Sequence, residues 1–208
     1  MRNIMKKKMD YYSFLALGEK LTSMMVLGFL CILCSLPVVT MGASMTALHK
    51  AMRLYVVKGE KRLFQSFFEA FKKHFKLSTC VWLLNLLMIL ILCFDLLFYG
   101  DAITWVQKGG MVVVTISLMV VVFEMTMSSV LISWEMTSKV KETFTLALTY
   151  GLKCPYEALM MLLLNLVFPA ILFLIASELL VLVPGVISYL SWQFLPKSLE
   201  RYQKIMKI

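Results

Sequence analysis

Long apolar runs alternate with short basic stretches along this chain, and that rhythm predicts helices throughout. Five apolar runs read as membrane helices, at about residues 21–41, 77–99, 111–133, 158–176 and 179–194. Amphipathic segments lie at about 43–57, 61–76 and 135–157. Pro37 removes a backbone donor and Gly42 loosens the chain, so a break or kink is expected within residues 37–42. Just beyond it, Gly42 with Thr46 and Ala43 with Ala47 are small residues one turn apart. Such pairs let two helix backbones approach closely in lipid. In segment 61–76, Phe64, Phe67, Phe68, Phe71 and Phe75 share one helical face, while Glu69, Lys72, Lys73 and Lys76 take other positions. This fits either an interfacial helix, with rings at the acyl boundary and lysines at the headgroups, or a helix packed on the cytoplasmic end of a bundle. The apolar stretch from Ala158 to Leu190 would measure about 50 Å as one helix, against a hydrocarbon core of about 30 Å. Two shorter helices turning near Ser177 and Glu178 are therefore expected. At an offset of 80, Lys61, Phe64, Lys73 and Asn85 align with Lys141, Phe144, Lys153 and Asn165, as two similar modules would.

Composition narrows the class. The chain has 208 residues, 61% hydrophobic and 16% charged, where soluble domains hold about 45–50% and about 25%. A soluble globular domain, a disordered tail and a secreted disulfide scaffold are excluded. The expected fold is an all-α polytopic membrane bundle, one domain over residues 1–208, with about five membrane helices. The five cysteines (Cys31, Cys34, Cys80, Cys93, Cys154) are scattered, and Cys31-x-x-Cys34 sits in an apolar helix with no βαβ pattern around it, so packing is expected there rather than redox chemistry.

The net charge is +9. In a membrane protein, basic loops are held on the cytoplasmic side, and no basic stripe outside the membrane-flanking segments suggests nucleic acid. Segment 42–76, with eight Lys and Arg, is assigned to the cytoplasm. The basic N-terminus, with Arg2, Lys6, Lys7, Lys8 and Lys20, then lies outside if 21–41 spans once, or inside if the chain re-enters at Pro37–Gly42.

Chemistry motifs are sparse. The sequence has no G-x-x-x-x-G-K-[ST] phosphate loop, no H-E-x-x-H and no G-x-S-x-G, and its two histidines are His49 and His74. No catalytic, cofactor-binding or metal-binding residue is expected, and no enzyme. The intramembrane acids remain. A charge near the bilayer centre costs about 2.5–3.5 kcal/mol on insertion scales, so such a residue is a candidate functional site. Glu124 is the most central, with Asn85 and Asn165 as possible companions. It serves either as a proton or polar-substrate contact or as a structural group bonded to those amides or to a Ser or Thr. Asp95 and Glu178 lie near ends or turns.

The run Ser35-Leu36-Pro37-Val38-Val39-Thr40-Met41-Gly42, then Thr46-Ala47-Leu48, then Gly59-Glu60 and the Phe-rich helix Phe67-Phe68-Glu69-Ala70-Phe71-Lys72, resembles the YesL-like family of bacterial membrane proteins, domain of unknown function 624. Its motif is matched from Pro37 to Leu48, with Pro37, Thr40, Gly42, Thr46 and Ala47 at the defining positions. His49 stands where an aromatic residue is common. The resemblance implies a small polytopic cell-membrane protein, often encoded beside carbohydrate ABC importers. An accessory or permease-like component follows, with permease and ATPase subunits of a sugar importer as partners. A membrane adaptor is the alternative, binding a partner or anionic lipid through Lys50, Arg53, Lys72, Lys73 and Lys76. A small proton-coupled carrier built on Glu124 is the third reading. The sequence leaves open whether the chain forms homo-oligomers.

Overall fold

A computed structural model describes residues 2–98, 105–175 and 183–194, with the side chains of residues 2–17, 98, 106, 166, 168–175 and 193–194 outside the description. These residues form α1 (Arg2–Ser35), α2 (Met41–Lys58), α3 (Leu63–Phe98), α4 (Trp105–Ser133), α5 (Val140–Lys153), α6 (Pro155–Ile175) and α7 (Val183–Phe194), with a short 3-10 turn at Val38–Thr40. There is no strand among the described residues, and the fold is an all-α membrane bundle. Among the described residues, three helical stretches are long and apolar enough to cross a membrane: Gly18–Ser35, Leu63–Leu97 and Gln107–Ser133. The expected turn at Glu178, the loop around Asp101 and the basic tail with Lys197, Arg201, Lys204 and Lys207 lie outside the described residues.

The break at Pro37–Gly42 falls where the sequence puts it. Helix α1 stops before Pro37, and the Thr40 hydroxyl donates to the carbonyls of Cys34 (2.5 Å) and Pro37 (2.8 Å), the latter also accepting the Thr40 N–H at 2.9 Å. Trp82 of α3 donates its indole N–H to the Val38 carbonyl at 2.8 Å. The turn is thereby pinned to α3.

Helix α2 then packs antiparallel on α3 through its small residues. A Cβ on Gly42 would collide with Cβ of Trp82 and lie 2.7 Å from the Ser78 carbonyl, so only glycine permits this approach. Ser78 donates to the Thr46 hydroxyl at 3.0 Å, and Thr46 donates to the Gly42 carbonyl at 3.0 Å. Ala43, Ala47 and Ala51 are fully buried. The motif is thus a device for turning one helix back and seating the next. Cys31 is buried with its thiol 3.9 Å from the Met45 sulfur, the packing role expected of it.

Segments 61–76 and 77–99, read as two elements, are one helix. Nothing in Leu63–Phe98 interrupts it, for the stretch holds no proline or glycine. Its 36 residues measure about 54 Å. The Phe-rich face divides accordingly. Phe67 is fully buried against α1 and α2 and stacks on Phe71, while Phe64, Phe68 and Phe75 are exposed. Segment 135–157 also differs from expectation. Its helix begins at Val140 and ends at Lys153, and Pro155 opens α6, a position that suits a residue with no N–H to donate. The internal repeat is local only. Asn85 and Asn165 each donate to the carbonyl four residues back, but α3 runs unbroken where the second unit breaks at Cys154.

Two apolar cores result. One joins α1, α2 and the first half of α3 around Leu27, Leu48, Met52 and Phe67. The other joins α4, α5 and α6 around Phe123, Met127, Leu131 and Tyr150. Helix α7 closes against α1, where Gly185 lies directly on the Met24 carbonyl, and against α2, where the Ser188 hydroxyl and His49 Nδ1 are 3.0 Å apart.

Candidate functional site

The basic residues of α2 and α3 converge on the C-terminal end of α4. That helix closes with Glu135 in the left-handed region (φ 60), its N–H bonded to Ile132 O and the next N–H, of Met136, to Leu131 O. This is a Schellman ending, in which the left-handed position usually falls to glycine. The carboxylate gained there gathers cations. Lys73 reaches Glu135 Oε1 at 2.7 Å and Lys50 reaches the same oxygen at 2.9 Å, so three helices are tied at one point. These two lysines hold the Glu135 carboxyl down at about 2, well below its ordinary 4.5. His74 is nine-tenths buried and points Nε2 at that oxygen from 3.8 Å, beyond hydrogen-bonding reach. Arg53 stacks over Trp134, 4.1 Å from the ring centroid, and Trp134 packs on Trp192 of α7. Lys72 and Lys76 are exposed, and neither pairs with Glu135. The expected basic face is therefore two surfaces: a clamped rim of Lys50, Arg53 and Lys73, and an open pair, Lys72 and Lys76.

Next to the rim lies a cavity of about 220 Å³ between α2, α3, α4, α6 and α7. Met41, Met45, Val81, Trp82, Val122, Met125, Ile132 and Ile187 supply its mostly apolar wall. The polar groups on it are largely committed. Thr46 and Ser78 bond each other, Thr126, Ser128 and Ser129 donate to carbonyls of their own helix, and Asn165 Nδ2 donates to Met161 O. His49 forms part of the wall, and burial pushes it down to about 4, so the ring is neutral at physiological pH. The motif residues Gly42 and Thr46 line the cavity directly.

Glu124 and Asn85 are brought together, and Asn165 is not with them. Glu124 is 3% exposed and Asn85 is 1% exposed, the two side by side on α4 and α3. Asn85 spends its amide on Val81 O, and neither Glu124 oxygen has a hydrogen-bond partner among the described residues. Glu124 lies about 14 Å along α4 from its end at Ser133, near half the thickness of a hydrocarbon core. A buried polar group without a partner costs about 1–3 kcal/mol, more if charged.

Sequence reasoning passed over Glu135, Trp82 and the Trp134–Trp192 pair. The one signal for Glu135 is an acid directly after Trp134, at the mouth of a span.

The fold and this site define a polytopic helical membrane protein with a basic rim over an apolar cavity. Residues 22–96 match the model of the family described as "Protein of unknown function, DUF624", which bears out the resemblance drawn from Pro37 to Leu48. No curated protein and no solved structure matches the chain.

Proposed function

We propose that the protein is an accessory component of carbohydrate ABC import in the cell membrane, docking the importer's permease or ATPase subunits rather than conducting sugar itself. The observation that carries the second half of this reading is the cavity wall. It is chiefly methionine and aliphatic, and its hydroxyls are already bonded. A sugar entering it would find few free donors and would lose more hydrogen bonds to water than the wall replaces, at a cost of about 1–3 kcal/mol for each hydroxyl left unpaired. The importer link itself rests on the family resemblance. The open pair Lys72 and Lys76, with Lys58 and Arg62 at the exposed end of α2 and start of α3, offers a cytoplasmic docking face. Purification from the native membrane in mild detergent tests the proposal. Permease and ATPase subunits should co-elute, and Lys72→Glu with Lys76→Glu should release them. Elution of the chain alone would overturn it. The unpartnered Glu124 keeps a proton-coupled carrier as the second reading, and purified protein moving solute down a proton gradient in proteoliposomes would establish that instead.

A further inference from the structure

The rim and the cavity adjoin. His49, the chain neighbour of Lys50, lines the cavity, and so does Ile132, within one turn of Glu135. At the rim two ammonium groups share a single carboxylate oxygen, and the buried His74 Nε2 aims at that oxygen without reaching it. As placed, the carboxylate meets two of these three donors and leaves Nε2 unpaired. A phosphate, whose oxygens are set in tetrahedral directions and are not tied to a helix end, can be placed to meet all three. The cavity asks for the opposite chemistry, an alkyl group with no hydrogen-bonding demand. Charge and apolar volume lie side by side in a protein whose solvent is the bilayer.

We propose that rim and cavity together form a site for an anionic phospholipid, whose phosphate takes the place of the Glu135 carboxylate on Lys50, Lys73 and His74 while part of one acyl chain enters the cavity. Glu135 is then a built-in competitor. Its side chain is 43% exposed and sits at the end of α4, where it can swing toward solvent as the lipid enters. Its unusual backbone setting fits that role, because a glycine would close the helix with less strain but supply no anion. The inference does not depend on the importer reading.

The test uses the full chain purified in detergent, titrated by native mass spectrometry with dioleoylphosphatidylglycerol and, separately, dioleoylphosphatidylcholine. The anionic lipid should bind about tenfold more tightly or better, as two lysines near a headgroup predict. Lys50→Gln with Lys73→Gln should remove that preference. Glu135→Gln should tighten binding of the anionic lipid, whereas a purely structural ion pair predicts weaker binding. Ser129→Leu, which projects into the cavity, should weaken both lipids, and Thr126→Leu repeats that arm should the first variant lose its thermal transition. Equal binding of the two lipids overturns the proposal. So does weaker binding by Glu135→Gln, or indifference to both cavity-filling variants. Displacement of the lipid by glycerol phosphate at equal concentration would mark a free-phosphate site and overturn it as well.

Discussion

Replacing Glu135 with alanine and with glycine separates two opposed contributions. The carboxylate accepts from Lys50 at 2.9 Å and Lys73 at 2.7 Å, and 43% of its side chain is exposed. Exposed pairs are worth about 0.2–1 kcal/mol each, so the two together contribute about 1 kcal/mol. Against this stands a left-handed backbone at φ 60 that a Cβ disfavours by about 1 kcal/mol relative to glycine. Glu135→Ala loses the pairs and keeps the strain, so it should destabilise by about 1 kcal/mol. Glu135→Gly loses the pairs and sheds the strain, so it should be close to neutral. For a chain of this length 1 kcal/mol corresponds to about 2–4 °C, which thermal unfolding in one detergent resolves. The pH dependence has a definite sign. The folded carboxyl titrates at about 2 and the ordinary one at 4.5, so the contribution is complete above pH 4.5 and is lost as pH falls toward 2. Both variants should lack that acid limb. A glycine variant less stable than the alanine variant would refute the strain argument, and an alanine variant as stable as the parent would refute the pairing argument.

Gly42→Ala should destabilise by about 1–3 kcal/mol or block folding, because the new methyl meets Trp82 and the Ser78 carbonyl; the melting temperature in detergent reads it. Glu124→Leu removes a buried group with no partner and should raise stability by about 1–3 kcal/mol; unchanged or lowered stability would show that the carboxyl is satisfied in the folded protein. His49 is held down at about 4 by burial against an ordinary 6.5, so its neutral form stabilises the fold above pH 6.5 and that contribution is lost as pH falls toward 4. His49→Gln should flatten the stability profile across that interval. Arg53→Lys keeps the charge but gives up the planar stack on Trp134, and should cost about 0.5–1 kcal/mol.

What could be read from the sequence was what depends on near neighbours. The membrane class, the break at Pro37 and the small-residue face of α2 each follow from local rules, and the structure has all three. The fusion of 61–76 with 77–99 was legible in principle, since no residue there stops a helix; the lysines drew a boundary that the backbone does not recognise. Pairing Asn85 with Glu124 required only that both lie near midspan. Asn165, with the same local credentials, sits on another wall, and only packing decides that. The role of Glu135 could not be read. Its partners lie 85 and 62 positions away, and its meaning arises only when α2, α3 and α4 meet.

The bond from Trp82 to the Val38 carbonyl also constrains how the protein is made. The donor is synthesised 44 residues after its acceptor. Until α3 is made, the Val38 carbonyl has only the Met41 N–H of its own turn as a partner. The α1–α2 hairpin can therefore close its backbone bonds unaided, but nothing fixes the angle at its tip. That angle is set when residue 82 arrives and the indole adds its bond, so the third helix completes the turn that the first two begin.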